Sequence, residues 1–338
     1  MDYAAFLSAI LTEQTNKEAQ KMNRKFYRLA TGVLLLIFLT VPAAAARLLI
    51  PVGRIVGLEL HNNTVTVVSF EDASPAKAAG VKEGDRLLRI DRQNITCAQD
   101  VRTALDQSHG TVTLTLQRGD DLTTLKVAPT ITAQGPKLGL YLRQGITGIG
   151  TVTYYDPATG TFGALGHGVN VPSGELLRLT QGLAYPAAVS HVRKGAAGEP
   201  GQLMGTLTDK APLGPILQNT PQGVFGKAEV SFSGQQLPLG QPVPGEATIL
   251  STVTGSTPRE YTVRILKIYS APRQSGRNML LEVTDSALLD ATGGIVQGMS
   301  GSPIIQNGKL VGAVTHVLVN DPTRGYGIFM ENMLDAAG

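Results

Sequence analysis

From about residue 137 onwards, the sequence is a run of short apolar segments separated by turns that contain glycine. The segments include KLGLYLR, GIGTVTYYD, EATILSTV, REYTVRILKIY and KLVGAVTHVLV. Closely spaced strands bounded by such turns are typical of a β-barrel or a β-sandwich. The chain has 39 glycines in 338 residues, and its strands do not alternate with long helices as in a parallel α/β fold. The sequence therefore predicts a mostly β protein.

Composition excludes several classes of function. Hydrophobic residues make up 42% of the chain and charged residues 16%, which suits a folded protein with a substantial core. The formal net charge of +3 is too small for a nucleic-acid-binding protein. Cys97 is the only cysteine, and the chain has neither a CxxC nor an HExxH pattern, so we expect no metal and no other cofactor.

An uncharged apolar stretch, residues 29–46, follows a basic region near the N-terminus. The order of basic, apolar and small residues fits a secretory signal peptide. Extended over residues 29–50, the same segment is long enough to be a membrane anchor. Either would export the rest of the chain and leave residues 1–28 on the cytoplasmic side. Met22, directly before NRKFYR, is an alternative start.

Residues 57–131 show the pattern of a separate small domain. SPAKAAGVKEGDRLLRIDRQNI, residues 74–95, contains a short helix that Ser74 caps and Gly80 ends, followed by a turn and a strand. The periodicity of the neighbouring residues predicts one more helix and three strands, namely a helix near 98–107 and strands at 64–70, 111–118 and 121–129. This order resembles a PDZ domain, which binds an extended peptide at a sheet edge.

We expect the peptide groove to lie between the strand at 64–70 and the helix at 98–107. The stretch GLELHNN before that strand lacks a clear GLGF-type carboxylate loop. The sequence therefore leaves open whether the ligand is a free C-terminus or an internal or intramolecular segment.

The stretch GIVQGMSGSPI, residues 294–304, has the layout of a nucleophile loop. A serine between glycines can stand on a tight turn whose N–H groups converge on an oxyanion. The order Gly-Met-Ser-Gly-Ser-Pro is similar to the GDSGGP loop of chymotrypsin-fold proteases. This layout makes Ser300 the nucleophile and places the oxyanion hole at the N–H groups of Gly298 and Ser300. Ser302 is the alternative nucleophile.

A base and an orienting acid complete the predicted site. His167, in GALGHGV, lies between glycines at the end of a predicted strand and is the preferred base, whereas His316, in AVTHVLV, is expected to be a packed strand residue. Asp285, at the end of LLEVTD, is the preferred acid, and Asp290 is the alternative. The order His, Asp, Ser is that of chymotrypsin. We predict no catalytic role for the remaining histidines, which are His61, His109 and His191.

Two long stretches, GIGTVTYYDPATGTFGALGHGV and GIVQGMSGSPIIQNGKLVGAVTHVLVNDPTRGYGIFMENML, resemble the SpoIVB peptidases of sporulation stage IV. The resemblance implies an N-terminal hydrophobic segment, a PDZ domain and, over residues 135–338, a chymotrypsin-like β-barrel serine peptidase domain. It also implies that His167, Asp285 and Ser300 form the catalytic triad, without a cofactor.

The resemblance further implies a role in endospore formation. Such peptidases are serine endopeptidases exported across the forespore inner membrane into the intermembrane space. They cut themselves and a membrane-bound regulator of an intramembrane protease, which triggers activation of a late mother-cell sigma factor. The expected partners are therefore this regulator, the chain's own N-terminal segment, a peptide ligand of the PDZ domain and the membrane, but no nucleic acid.

Two alternatives remain open. An HtrA-type protease also joins a trypsin-like domain to a PDZ domain, but in that class the protease domain comes first. A secreted PDZ adaptor with an inactive barrel would bind peptides without cutting them. A reactive serine distinguishes an enzyme from such an adaptor.

Overall fold

The computed structural model describes residues 47–269 and 276–338. The predictions for residues 1–28 and for most of the 29–50 segment therefore lie outside the described residues. Within the described ranges, no helix is both long and apolar enough to cross a membrane. Strands dominate and helices are short, so the prediction of a mostly β protein is confirmed.

The strands and helices of the described ranges are numbered in chain order. The strands are β1 (Leu48–Pro51), β2 (Ile55–Phe70), β3 (Arg86–Ile90), β4 (Gln93–Asn94), β5 (Val112–Arg118), β6 (Asp121–Val127), β7 (Thr130–Thr132), β8 (Gly135–Lys137), β9 (Leu140–Asp156), β10 (Thr161–Ala164), β11 (Gln181–Arg193), β12 (Gln202–Leu207), β13 (Gly214–Thr220), β14 (Gly223–Lys227), β15 (Leu237–Pro238), β16 (Gly245–Ser251), β17 (Arg259–Ile268), β18 (Met279–Val283), β19 (Pro303–Gln306), β20 (Lys309–Leu318) and β21 (Asp321–Phe329). The helices are α1 (Pro75–Ala78), α2 (Ala98–Asp106), α3 (Ser286–Thr292) and α4 (Met330–Ala337).

Two barrels of six antiparallel strands form the fold outside the PDZ region, and the first of them includes the N-terminal half of β2. In the first barrel, β2, β9, β10, β14, β13 and β11 follow one another, and β11 pairs back onto β2. The second barrel closes in the order β16, β17, β18, β21, β20 and β19. Each barrel encloses its own core, with Leu58, Val152 and Phe162 in the first and Ile249 and Leu281 in the second.

The predicted PDZ region forms a sheet of β3, β5 and β6 together with one half each of β2 and β9. Its local turn chemistry agrees with the sequence. The Ser74 hydroxyl accepts a hydrogen bond from the N–H of Lys77 at the start of α1, and Gly80 adopts a φ of +99° just after that helix. Leu87, Val101 and other apolar residues form a separate core between this sheet and α2.

Strands β2 and β9 run through both the first barrel and the PDZ sheet. They pair with each other in the barrel, where Leu60 lies opposite Ile146, and again in the PDZ sheet, where Phe70 lies opposite Leu140. Sequence analysis predicted separate strands on either side of Gly145. This glycine has a φ of +77°, and a Cβ there would lie 2.0 Å from the carbonyl oxygen of Leu60. The positive φ lets the strand bend without ending, so the two predicted domains share strands.

Candidate active site and peptide groove

Ser300 lies in the loop between α3 and β19, at the rim of the second barrel. Gly298 and Gly301 flank it with φ values of +98° and +97°, a region that favours glycine. The neighbouring side chain of Met299 is buried and anchors the turn in the barrel core, whereas Ser300 is partly exposed. The glycines thus make the tight turn that the sequence predicted.

The N–H groups of Gly298 and Ser300 are available to a ligand. Within the described ranges, neither donates a hydrogen bond to a protein acceptor. The carbonyl groups of the same two residues are held by Thr151, whose hydroxyl donates to Gly298 over 2.8 Å and whose N–H donates to Ser300 over 3.1 Å. Two neighbouring N–H groups without an internal partner are what an oxyanion hole requires.

His167 lies in the loop that follows β10 in the first barrel. Leu165, two residues earlier, has a φ of +69°, which is uncommon for a residue with a side chain. Its N–H donates to the carbonyl oxygen of Thr151 over 3.2 Å. On the other side of His167, the side-chain amide of Asn219 accepts from the N–H of Val169 and donates to its carbonyl oxygen. The histidine is therefore held from both sides.

The hydrogen bond of the His167 ring fixes its tautomer. Nδ1 lies 2.9 Å from the carbonyl oxygen of Gly168. Because a carbonyl oxygen can only accept, Nδ1 carries the proton, and Nε2 has a free lone pair. Burial lowers the pKa of His167, although the bond to Gly168 opposes this shift. The ring is therefore neutral at neutral pH, which is the form that a general base needs.

Hydrogen bonding and packing around Thr315 bring the serine and histidine loops together. The Ser300 hydroxyl donates to the carbonyl oxygen of Thr315 over 2.7 Å. The side chain of Thr315 packs against Gly166, where a Cβ would lie 2.9 Å from its methyl group. The structure thus places the predicted nucleophile, oxyanion hole and base at the junction of the two barrels.

His316 lies beside His167, with 5.1 Å between the ring centroids. Burial, and to a lesser degree the neighbouring His167 and Arg277, lower the pKa of His316 to about 4. Its Nδ1 is buried without a hydrogen-bond partner among the described residues. Sequence analysis predicted a packed strand histidine but not that it would pack against the base.

Ser302 and Asp290, the two alternatives, lie outside this cluster. The Ser302 side chain is 0% exposed, and its hydroxyl donates to the hydroxyl of Ser251 over 2.9 Å. A fully buried hydroxyl is out of reach of a protein substrate, whereas Ser300 is partly exposed. Asp290 is exposed on α3.

The structure does not bring Asp285 to His167. Its carboxylate caps α3, accepting from the N–H of Leu288 over 3.0 Å and from that of Thr262 over 3.3 Å. Asp285 and the Thr315 side chain lie at opposite ends of β18. Asp285 follows the last residue of this strand, whereas Gly276, whose carbonyl oxygen accepts a bond from the Thr315 hydroxyl, precedes the first. Five residues of strand span about 16 Å. In this arrangement the Gly168 carbonyl orients the base, and the role of Asp285 as triad acid stays a prediction.

Thr151 and Asn219 position the loops, and sequence analysis missed both. Thr151 is one of several threonines in an apolar strand, and Asn219 precedes an ordinary turn. Nothing in either local pattern distinguishes them. Their bonds reach residues 147 and 50 positions away, so only the folded arrangement identifies them.

The predicted peptide groove requires a correction. In the PDZ half of β2, residues 65–70 pair with β9 along one edge, and residues 65–67 are bonded to β3 and the turn before it along the other, so this half has no continuous free edge for a peptide. The open edge belongs to Leu140–Gln144 of β9, which pairs with β2 alone among the described strands. Helix α2 lies beside this edge, and the amide of Gln144 donates to the carbonyl oxygen of Thr96, just before that helix.

A loop that suits a carboxylate precedes the open edge. In the sequence KLGL, residues 137–140, Gly139 has a φ of +67°, and the N–H groups of Leu138 and Gly139 donate to no protein acceptor in the described ranges. Ser74 and Glu71 hold the two carbonyl groups in place. Free N–H groups in such a loop form an anion-binding nest. Sequence analysis missed it because it follows the rest of the PDZ pattern in the chain.

Two family models match the chain. The model of the SpoIVB peptidase S55 family matches residues 134–334, and a PDZ domain model matches residues 55–128. Among curated proteins, an Agrobacterium fabrum protein described as a zinc metalloprotease is 36% identical to this chain over 97 residues. These residues cover 28% of this chain and 25% of that protein. The chain thus spans about a quarter of the length of this relative.

Two solved structures are similar to parts of the chain. The PDZ domain of the SdrC-like protein from Listeria monocytogenes is 26% identical, with 24% of this chain and 87% of that chain covered and a TM-score of 0.22. The inactive form of the Rv3671c protease is 14% identical, with 56% and 84% covered and a TM-score of 0.34. Both scores are too low to support an argument about the fold. The S55 model, in contrast, covers more than half of the chain, and the chain, which also contains a PDZ domain, therefore belongs to the SpoIVB peptidase S55 family.

Proposed function

We propose that this peptidase is an endopeptidase in which Ser300 is the nucleophile and His167 the general base. The observation that carries the proposal is the hydrogen bond from His167 Nδ1 to the Gly168 carbonyl oxygen. It leaves Nε2 free to accept a proton next to a serine loop that has two unpaired N–H groups. The base comes from the first six-stranded barrel and the nucleophile from the second, which is the arrangement of chymotrypsin-like proteases.

The reaction follows from these positions. The Ser300 hydroxyl turns from the Thr315 carbonyl towards His167 Nε2, which takes its proton as the oxygen attacks the peptide carbonyl carbon. The N–H groups of Gly298 and Ser300 bind the oxyanion of the tetrahedral intermediate. His167 then gives its proton to the leaving amine, and an acyl-enzyme remains on Ser300. Water, deprotonated by the same Nε2, hydrolyses this ester and restores the enzyme.

The PDZ groove supports protein chains as substrates. The open edge of β9 offers backbone hydrogen bonds to an extended peptide, and the loop at Leu138 and Gly139 offers N–H groups to its terminal carboxylate. Binding a chain end close to the barrels raises the local concentration of the segment to be cut. The ligand can belong to a substrate or to a second protein that regulates the enzyme.

The biological role that we propose rests on the family match. A SpoIVB-type peptidase over residues 134–334 supports a role in endospore formation, with export into the space between the forespore membranes. There the enzyme would cut itself and a membrane-associated regulator of an intramembrane protease, and so activate a late sigma factor. The chain's own N-terminal segment would be the first substrate.

Self-cleavage of the purified full chain tests this function. The wild type, Ser300→Ala, His167→Ala and Ser302→Ala are followed over time by mass spectrometry and labelled in parallel with a fluorophosphonate. Cleavage and labelling in the wild type and in Ser302→Ala, with cleavage lost in the other two, would support the proposal. A wild-type chain that neither cleaves nor reacts, yet binds peptides, would instead be a PDZ adaptor.

A further inference from the structure

Thr151 contacts both loops of the active site. It lies in β9 and is 0% exposed. Its hydroxyl donates to the carbonyl oxygen of Gly298 over 2.8 Å, its N–H donates to that of Ser300 over 3.1 Å, and its own carbonyl oxygen accepts from the N–H of Leu165 over 3.2 Å. The hydroxyl and the N–H of Thr151 therefore hold the nucleophile loop against β9. Its carbonyl oxygen holds the loop that leads to His167.

The two carbonyl groups that Thr151 holds lie on either side of the Ser300 N–H. The Gly298 carbonyl belongs to the peptide unit before Met299, and the Ser300 carbonyl belongs to the unit after Ser300. Fixing both restricts the unit between them, which carries the Ser300 N–H of the oxyanion hole. Gly298 has broad conformational freedom of its own, so the Thr151 hydroxyl supplies a restraint that the loop sequence lacks.

The loops approach each other most closely at Gly301. A Cβ at Gly301 would lie 2.1 Å from the carbonyl oxygen of Thr151 and 2.6 Å from the nitrogen of Leu165. The serine loop, β9 and the histidine loop are therefore in direct contact at this point. A small displacement of a catalytic group lowers the rate sharply, by about 100-fold for 1 Å.

We propose that Thr151 is a positioning residue of the peptidase reaction. Its hydroxyl fixes the oxyanion hole and the nucleophile loop in register with the loop of His167, without touching the substrate. This inference rests on the function proposed above, because it assumes that Ser300 and His167 carry the reaction.

Thr151→Val tests the hydroxyl, and the same strand provides a matched control. Valine keeps the shape and the N–H of residue 151 but removes the bond to Gly298. Thr153, also 0% exposed in β9, has a buried hydroxyl without a hydrogen-bond partner among the described residues. Thr153→Val therefore removes a hydroxyl of equal burial that holds no loop. Thr151→Ser keeps the hydroxyl and loses only the methyl group.

The probe is a fluorophosphonate, whose reaction with Ser300 of the full chain is timed at several concentrations. We expect the maximal labelling rate of Thr151→Val to fall about 10- to 100-fold, with the half-saturating concentration changed less than about 2-fold. Thr151→Ser and Thr153→Val should keep the wild-type rate. If Thr151 only stabilised the fold, Thr151→Val would lower the melting temperature, but it would not lower the maximal labelling rate while leaving the half-saturating concentration unchanged.

The outcomes separate this inference from the proposed function. A wild type that does not react rejects both. A reactive wild type with equal rates in Thr151→Val and Thr153→Val overturns the role of Thr151 alone, as does a Thr151→Ser variant as slow as Thr151→Val. If Thr151→Val does not fold, Thr151→Ala removes the same hydroxyl without adding a methyl group, and the same result is expected.

Discussion

The Ser300 hydroxyl donates its hydrogen bond to the carbonyl oxygen of Thr315, 2.7 Å away, and not to His167. A hydroxyl has a single proton to donate, so the bond to the base can form only after the Ser300 hydroxyl has left the Thr315 carbonyl. The bond that is broken contributes about 1 kcal/mol, a small barrier beside that of peptide hydrolysis. Before the reaction, the Ser300 hydroxyl is therefore bound to Thr315 of β20, and a movement of the serine side chain alone frees it to bond to the base.

Substituting each serine of the loop alone should separate their roles. Ser300→Ala is expected to abolish fluorophosphonate labelling with little effect on stability. Ser302→Ala should keep the labelling but lower the free energy of unfolding by about 1 kcal/mol, because the buried Ser251 hydroxyl loses its partner. Labelling followed by urea denaturation measures both quantities. Loss of labelling in Ser302→Ala at unchanged stability would contradict this assignment of the nucleophile.

The rate of labelling should fall only below pH 6.5. His167 acts as a base in its neutral form, and burial lowers its pKa from the ordinary value of 6.5. The neutral form therefore persists to lower pH than for an exposed histidine, and the rate declines as the pH falls through the lowered pKa. A pH profile of the labelling rate shows the position of this decline. A midpoint above 6.5 would mean that the base is charged more easily than the structure indicates.

Two substitutions at Asp285 distinguish a helix cap from a triad acid. Asparagine caps helices about as well as aspartate, so Asp285→Asn should keep both stability and labelling rate if the carboxylate only caps α3. Asp285→Ala should lower the free energy of unfolding by about 1 kcal/mol. Replacing a triad aspartate with asparagine costs about 10⁴-fold in rate. Such a loss in a folded Asp285→Asn variant would show that Asp285 reaches His167 during the reaction.

The carboxylate loop predicts a preference for free chain ends. A peptide with a free C-terminal carboxylate should bind the full chain about tenfold or more tightly than its amidated form, since hydrogen bonds to a charged group contribute about 1.5–3 kcal/mol. Fluorescence polarisation with both peptides measures the difference in affinity. Equal affinities would favour an internal peptide as the ligand.

Glycine substitutions provide a control for that experiment. Gly139→Ala should remove the preference, because a Cβ there would lie 2.7 Å from the Cα of Ser74 and φ is +67°. Gly119 also has a positive φ, +61°, but open space around it. Gly119→Ala should therefore add similar local strain and leave peptide binding unchanged. A Gly139→Ala variant that still prefers the free carboxylate would place the anion site elsewhere.

Local patterns predicted the parts of the fold that local chemistry determines. The Ser74 cap, the stop at Gly80 and the tight turn around Ser300 all follow from residues within a few positions of one another. The predicted family is confirmed by the S55 match. These features depend on backbone preferences that a short stretch of sequence already contains.

The remaining parts depend on which distant segments meet. The contact between His167 and His316, the bonds of Thr151, and the distance of Asp285 from the base all result from strand pairing in the two barrels. The peptide edge was placed on the wrong strand for the same reason, since the register of β2 and β9 decides which edge is open. No periodicity in the sequence contains this information.

Strands β2 and β9 both run from the PDZ sheet into the first barrel, with an irregularity in their pairing between Leu60 and Val65, and this sharing of strands has a consequence for how such a gene can change. A module joined by a linker can be lost, duplicated or exchanged by recombination at its borders. Recombination at either border of the PDZ region would divide a strand of the first barrel and expose the interior of that barrel. Exchange of the peptide-binding half alone would therefore have to divide both shared strands, and we expect the specificities of the two halves to change by substitution in place.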